Sequence, residues 1–211
     1  MKRLRLVVLV SGRGSNLENL LDASLDHRMA ADVVRVVSNK EDAPALAIAR
    51  EAGIEALAVP SAGVSREQHD ARLADAIDAA KPDLVVLAGY MRVLDAELVR
   101  RYHGRLINIH PSLLPAFTGL DAPAQAHARG VRVAGCTTHF VTAEVDAGPI
   151  IAQAALAVDP GWSVDELRAR ILELEHELYP MTIQMLASGQ ARLEGERVVI
   201  DWPAALLGGP S

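Results

Sequence analysis

Apolar residues along this 211-residue chain fall into short, nearly unbroken runs that alternate with amphipathic stretches. Five of these runs are typical of strands covered on both faces of a sheet, and they lie at 4–10, 33–37, 54–59, 84–88 and 106–109. Between the runs the apolar positions follow a helical period, and Ser65 with Gln68 forms a capping box that starts one such helix. The alternation predicts an α/β fold with a doubly wound, mostly parallel sheet.

The last third of the chain has a different pattern. Longer strand-like runs at 133–141 and 149–158, and a hairpin pattern at 191–201, predict a C-terminal antiparallel part. A second capping box, Ser163 with Glu166, opens a long helix. Its apolar positions recur every three or four residues and predict one core-facing side, made of Val164, Leu167, Ile171, Leu174, Leu178, Met181 and Met185.

Composition excludes several classes of protein. The formal net charge is −6, which makes the chain a poor generic binder of nucleic acids and anionic membranes, because both require a basic surface, although a local anion site is still possible. Cys136 is the only cysteine, which excludes an internal disulfide and fits a reducing cytosol. No apolar stretch approaches the ~18 residues of a membrane span. Basic residues before the first apolar run imitate a signal peptide, but the run is shorter than the usual ~7–15 residues, so it predicts a buried strand.

A glycine-rich turn follows the first strand, where residues 11–17 read Ser-Gly-Arg-Gly-Ser-Asn-Leu. Such a turn offers free backbone N–H groups and the positive end of a helix dipole to a phosphate. A dinucleotide site is disfavoured, because Leu17 stands where Gly or Ala is required and no acid follows the second strand. Two interpretations remain open: a phosphate monoester site, or a tight turn with a Ser or Asn cap.

Polar residues interrupt the apolar pattern at two further places. Asn108 lies inside a strand and His110 ends it, at the edge where α/β proteins build active sites. The alternative is a structural Asn and a capping His. Asp146 precedes Gly-Pro, as an ordinary turn residue does, and becomes functional only if the fold brings it against His110.

The remaining histidines give no metal motif. His176 with Glu177 begins a zinc-peptidase-like pattern, but Pro180 occupies the position of the second histidine. His139, inside a predicted strand, is expected to be a hydrogen-bonded core residue rather than a ligand. The sequence therefore predicts no metal site.

Taken in order, these motifs resemble the phosphoribosylglycinamide formyltransferase family, folate-dependent enzymes of purine synthesis. The resemblance covers nearly the whole chain. It is carried by 11–17, by Ser-Asn-Lys at 38–40, Leu-Ala-Gly-Tyr-Met-Arg-Val-Leu at 87–94, Asn-Ile-His-Pro-Ser-Leu-Leu-Pro at 108–115, His-Phe-Val-Thr at 139–142, Val-Asp-Ala-Gly-Pro at 145–149 and Glu-His-Glu-Leu-Tyr-Pro at 175–180.

The resemblance implies a reaction and a set of site residues. The formyl group of 10-formyltetrahydrofolate, a co-substrate, would pass without a metal to the amino group of glycinamide ribonucleotide. Asn108 and His110 would stabilise the tetrahedral intermediate, with Asp146 raising the pKa of His110. The ribonucleotide would be bound by Gly14, Ser15, Asn16 and Glu175. The folate would be bound by Arg66, Met91, Arg92, Val93, Leu94, Asn108, Thr142, Ala143, Glu144 and Val145.

The resemblance also implies an organisation. We expect a Rossmann-like formyltransferase fold in one domain, 1–211, with a phosphate- and nucleotide-binding half at 1–105 and a catalytic and folate-binding half at 106–211. We expect small-molecule substrates, no nucleic-acid or membrane partner, a cytoplasmic location and a monomer or homodimer. In the loop 116–130, Asp121 stands where related forms carry His, which puts a role for loop histidines in doubt.

Three alternatives stay open. Formyltetrahydrofolate hydrolase shares the core motifs but carries an N-terminal regulatory domain, whereas this chain reaches its first strand at Leu4. Methionyl-tRNA formyltransferase adds a C-terminal nucleic-acid domain, whereas this chain ends soon after its long helix and is acidic. A non-catalytic folate- or phosphate-binding module would not need Asn108, His110 and Asp146, because binding alone requires no donors to an oxyanion.

Overall fold

The computed structural model of the chain describes residues 3–201. Its strands are β1 (Leu4–Val10), β2 (Ala31–Ser38), β3 (Glu55–Ala58), β4 (Leu84–Leu87), β5 (Leu106–His110), β6 (Val133–Phe140), β7 (Ile150–Ala157), β8 (Ala191–Glu194) and β9 (Arg197–Ile200). Its helices are α1 (Ser15–Leu25), α2 (Pro44–Glu51), α3 (Arg66–Ala79), α4 (Ala96–Arg101), α5 (Ala122–Arg129) and α6 (Val164–Ala187).

Seven strands form one sheet in the order β3-β2-β1-β4-β5-β6-β7. The pairs from β3 to β5 are parallel, whereas β6 pairs antiparallel with both β5 and β7. The strands β8 and β9 form a separate antiparallel hairpin within 191–201. The predicted doubly wound sheet, its antiparallel part and the terminal hairpin are confirmed.

The order of the strands places a crevice beside β1. The chain moves outward from β1 to β2 and β3, then returns to the other side of β1 as β4 and β5. Connections leaving neighbouring strands in opposite directions open a crevice at the carboxyl ends, where such folds bind ligands. The loop at 11–14, the loop at 88–95 and His110 all lie at this edge.

The core lies on both faces of the sheet because side chains alternate along each strand. Leu6 and Val8 pack on the face covered by α1, α2 and α6, and Val7 and Leu9 pack on the face covered by α3 and α4. All four are fully buried. The edge strand β3 is an exception to the predicted two-sided burial: its end residues are exposed, since it has one neighbouring strand.

The helix α6 is capped as predicted, with the Ser163 hydroxyl accepting from the Glu166 N–H. The prediction that Met181 belongs to the core-facing side of α6 is wrong, because this side chain is 49% exposed. Met181 lies six residues after the buried Glu175, about 120° around a helix of 3.6 residues per turn, so it faces away from the sheet.

Pro180 lies inside α6 without ending it. Proline has no N–H, so the helix cannot supply a donor to the carbonyl of His176 four residues earlier. The side-chain amide of Asn19 donates to that carbonyl at 2.7 Å and ties α6 to α1. Within residues 3–201, no helix combines the length and the apolar composition needed to cross a bilayer.

Candidate active site

A cavity of about 510 Å³ opens at the carboxyl edge of the sheet, beside β1, β4 and β5. Most residues that the sequence assigned to a site line this one cavity. They are Ser15, Asn16, Met91, Arg92, Val93, Leu94, Asn108, His110, Thr142, Ala143, Glu144, Val145, Asp146 and Glu175. The two exceptions are Gly14 and Arg66.

Gly14 shapes the turn before α1 without lining the cavity. It is the N-cap of α1 with a φ of 92°, in the left-handed region, and provides no side-chain cap. A Cβ at this position would lie 2.8 Å from the Cβ of Ala45. Only glycine therefore lets the turn pack against α2, and the first N–H groups of α1 have no capping side chain, as an anion site requires.

Asn16 and Glu175 join α1 to α6 at this end of the cavity. The Asn16 side-chain amide donates to Glu175 Oε2 at 2.7 Å, while Asn16 Oδ1 is buried without a hydrogen-bond partner among the described residues. Burial raises the pKa of Glu175 to about 7, and the Asn16 hydrogen bond opposes that rise. Near neutral pH the Glu175 carboxyl therefore exists in both protonation states.

Asn108 and His139 face each other across the antiparallel pair β5 and β6. His139 Nδ1 donates to the carbonyl of Phe140 at 2.9 Å, and burial lowers the pKa of His139. The ring is therefore neutral, with its proton on Nδ1, and Nε2 accepts from the Asn108 amide at 3.3 Å. This contact fixes the orientation of Asn108 and leaves the second N–H of its amide for another acceptor.

His110 and Asp146, far apart in sequence, meet at the cavity. His110 Nε2 lies 2.8 Å from the carbonyl of Phe117, which can only accept, so Nε2 carries a hydrogen. His110 Nδ1 lies 3.4 Å from Asp146 Oδ2, and the Gly119 N–H donates to the same oxygen at 2.7 Å. With Nε2 engaged, Nδ1 is the nitrogen of His110 that is available for chemistry.

The predicted folate side of the cavity is a loop between β4 and α4. Met91 and Val93 line the cavity and are 69% and 47% exposed, and Val145, from the segment after β6, lines it at 47% exposure. Arg66 begins α3, is exposed and does not line the cavity. Arg66 is therefore the one predicted folate residue that does not line the cavity.

The loop between β5 and α5 wraps around His110. It contains a cis peptide bond between Leu114 and Pro115. Asp121 starts α5 and binds both of its carboxylate oxygens to Arg168 of α6 at 2.8 Å. The arginine hydrogen bonds lower the pKa of Asp121. This chain therefore has an ion pair between α5 and α6 at the rim of the cavity.

Sequence reasoning missed several residues that line the cavity, among them Arg13, Tyr90, His139, Arg168 and Leu172. The expectation that His139 is a buried, hydrogen-bonded strand residue is confirmed, but its contact with Asn108 was not foreseen. The two residues meet because β5 pairs with β6, and no local pattern in the sequence reveals that pairing. Among residues 3–201, no cluster of three or more His, Cys, Asp or Glu has an arrangement that could hold a metal ion.

Comparison with known proteins gives the relatives of this chain. The family described as formyl transferase matches residues 4–183. Phosphoribosylglycinamide formyltransferase of Escherichia coli (strain K12) is 44% identical over 199 residues, 94% of each chain. The trifunctional purine biosynthetic protein adenosine-3 of Drosophila melanogaster is 46% identical over 198 residues, 92% of this chain, and this chain spans 15% of its length.

Solved structures agree with the family match. Glycinamide ribonucleotide transformylase 1 from Symbiobacterium toebii has a TM-score of 0.91 and 48% identity, covering 94% of each chain. A formyltetrahydrofolate deformylase from Burkholderia mallei has a TM-score of 0.86 and 33% identity, covering 94% of this chain and 70% of that one. The chain belongs to the formyl transferase family, as the motifs in its sequence predicted.

Proposed function

We propose that this chain transfers the formyl group of 10-formyltetrahydrofolate to the amino group of N1-(5-phospho-D-ribosyl)glycinamide, a step of purine biosynthesis. One observation carries the proposal: Asn108, His110 and Asp146 meet in a cavity that also contains the start of α1 and the 91–94 segment. The relatives named phosphoribosylglycinamide formyltransferase support the choice of acceptor.

The chemistry follows from which groups can donate. The amine nitrogen attacks the formyl carbon, a C–N bond forms and the carbonyl oxygen becomes an oxyanion. The free N–H of the Asn108 amide and a hydrogen on His110 Nδ1 donate to that oxygen. In comparable enzymes, removing one such donor lowers kcat by about 10²–10³.

Collapse of the intermediate requires a proton transfer. The bond from the formyl carbon to folate N10 breaks, and N10 takes up the proton that the amine releases. The Asp146 carboxylate lies 3.4 Å from His110 Nδ1 and keeps a hydrogen on that nitrogen. Asp146 also relays the amine proton towards N10, directly or through water. The two bound substrates are held in one orientation, which supplies much of the remaining acceleration.

The substrate sites belong to the same proposal. The ribonucleotide phosphate binds at the start of α1, with Gly14 shaping the turn, Ser15 and Asn16 donating, and Glu175 contacting the ligand beside them. The folate lies against the 91–94 and 142–145 segments, and Arg66, at the start of α3, reaches it from outside the cavity. We further infer a single domain, a monomer or homodimer and a cytoplasmic location. The substrates are small molecules, because the acidic composition suits neither a nucleic acid nor a membrane surface as a partner.

A second candidate, hydrolysis of 10-formyltetrahydrofolate, is favoured by the similarity to a deformylase. In that reaction Asn108, His110 and Asp146 would activate water instead of an amine. The test is a spectrophotometric assay of folate deformylation with and without glycinamide ribonucleotide. Turnover that requires the ribonucleotide supports the transferase, and equal turnover without it supports the hydrolase. If both ligands bind and neither reaction occurs, the chain is a non-catalytic binding module.

A further inference from the structure

A histidine and an aspartate form a buried pair in the first turns of α3, outside the groups that the proposed mechanism uses. His69 is 0% and Asp70 is 1% exposed. His69 Nε2 lies 3.0 Å from the carbonyl of Val59, so this nitrogen carries a hydrogen. His69 Nδ1 lies only 2.6 Å from Asp70 Oδ1, a distance at which two lone pairs would repel, so a second proton lies between them. Through the hydrogen bond from His69 to Val59, the pair tethers α3 to the chain after β3.

The second oxygen of Asp70 fixes a different part of the chain. Asp70 Oδ2 accepts from the backbone N–H of Asp95 at 2.6 Å. Asp95 is the N-cap of α4, and its own side chain accepts from the Leu98 N–H at 2.7 Å. The 91–94 segment, which lines the cavity, ends directly before Asp95. Asp70 therefore holds the point where this wall ends and α4 begins.

The other end of the segment is held in a similar way. The Met91 N–H donates to Ser11 Oγ at 2.8 Å, and Ser11 donates to Asn39 Oδ1 at 2.6 Å. Between these two anchors, Met91 and Val93 remain 69% and 47% exposed. Leu94 is buried in the core, but the core does not cover Met91 and Val93, so the position of this part of the segment depends on its hydrogen-bonded anchors.

We propose that His69 and Asp70 are positioning residues for folate binding, which hold the 91–94 wall of the cavity through the N–H of Asp95. The inference rests on the proposed function, in which this wall contacts the folate. A wall that is ordered before binding loses less conformational entropy when the folate arrives. The hydrogen bonds of this pair reach Val59 and Asp95 but not the start of α1, and the turn before α1 holds the opposite end of the wall through Ser11, so the affinity for the ribonucleotide should not depend on the pair.

The test compares two substitutions of Asp70. Asp70→Leu keeps the shape of the side chain but removes both acceptors. Asp70→Asn keeps an oxygen for the Asp95 N–H, and its amide can donate to Nδ1 of a neutral His69. We expect Asp70→Leu to raise the Kd of tetrahydrofolate and the KM of the formyl-folate donor by about tenfold, as loss of a buried hydrogen bond does. Asp70→Asn should restore both to within about threefold, and the Kd of glycinamide ribonucleotide should not change in either variant.

Asp78→Leu is the matched control, because it removes a carboxylate from the far end of the same helix. Asp78 accepts from the Tyr102 hydroxyl at 2.7 Å and forms an ion pair with Arg101, and neither of these partners belongs to the 91–95 segment. Its loss should leave both Kd values unchanged. An Asp70→Leu variant with an unchanged folate Kd, or with both Kd values raised equally, overturns the proposal.

A second pair of variants keeps the test decisive if Asp70→Leu does not fold. Asp95→Pro removes the N–H that Asp70 accepts, whereas Asp95→Ala removes only the helix cap and keeps the N–H. The proposal requires weaker tetrahydrofolate binding in the proline variant than in the alanine variant, and equal binding overturns it. Failure of the unaltered protein to bind tetrahydrofolate contradicts the proposed function itself, whereas a wild-type result in the variants alone overturns only the role of His69 and Asp70.

Discussion

Asp146 combines an uncommon backbone conformation with a central position in the site. Its φ is 55°, in the left-handed region that few residues other than glycine adopt, and its side chain is about nine-tenths buried. Asn and Asp tolerate this conformation best, because their short polar side chains bond locally. An Asn substitution therefore keeps the loop in place and removes only the negative charge, which Ala would not do.

We expect Asp146→Asn to lower kcat by about 10²–10⁴, the usual contribution of a positioned acid or base. The KM values of both substrates should change by less than about threefold, because no assigned binding contact is lost. Steady-state kinetics with each substrate varied in turn measures both quantities. A kcat within a few-fold of the unaltered enzyme would show that another group moves the proton.

At the scale of elements, the turn from β1 into α1 is specified by two glycines with different roles. Gly14 has a φ of 92° and no room for a Cβ, whereas a Cβ added at Gly12 would have no atom within 4 Å. The two positions therefore provide a matched pair in one loop. Comparing an alanine substitution at each position separates the effect of backbone strain and clash, expected at Gly14, from the effect of losing a flexible glycine, expected at both.

Gly14→Ala should lower the free energy of unfolding by about 1–3 kcal/mol, from strain at a positive φ and the clash with Ala45. Because the strain moves the start of α1, the KM of the ribonucleotide should rise more than that of the folate. Gly12→Ala should change both properties little. Urea unfolding and steady-state kinetics on the two variants check this. Equal behaviour of the two variants would contradict the role assigned to Gly14.

For the molecule as a whole, Glu175 links protonation to stability. It lies between α1 and α6, and burial raises its pKa to about 7 from the ordinary 4.5. The folded state thus binds this proton more tightly than the unfolded state does. The stability that the proton contributes is complete below about pH 4.5 and is lost as the pH rises through about 7, at a cost on the order of 3 kcal/mol.

Glu175→Gln should therefore be more stable than the unaltered protein at pH 8 and similar to it at pH 4.5, because Gln is never charged and still accepts from Asn16. Urea unfolding of both proteins at the two pH values measures the difference. Glu173→Gln, on the exposed side of the same helix, is the control and should follow the unaltered protein. A pH dependence that is the same in all three proteins would contradict the burial of a charge at Glu175.

The sequence by itself determined where the helices and strands lie, and it named candidates for the reacting groups. Strand runs and capping boxes are local, because each depends on residues within a few positions, and the structure has them where the pattern predicted. The family resemblance also named Asn108, His110 and Asp146 as candidates for the reacting groups. The prediction at Met181 was wrong because steps of three and four residues do not return to the same side of a helix with 3.6 residues per turn, so a long series of them can leave the buried side.

Only the tertiary structure decided how these residues meet. The contact between His139 and Asn108 follows from antiparallel pairing of β5 with β6, and the approach of Asp146 to His110 from a loop folding back. The proton that Glu175 holds near neutral pH depends on burial between two helices. Such features arise from contacts between residues distant in the chain, whose energies depend on burial and distance, and no local pattern contains either quantity.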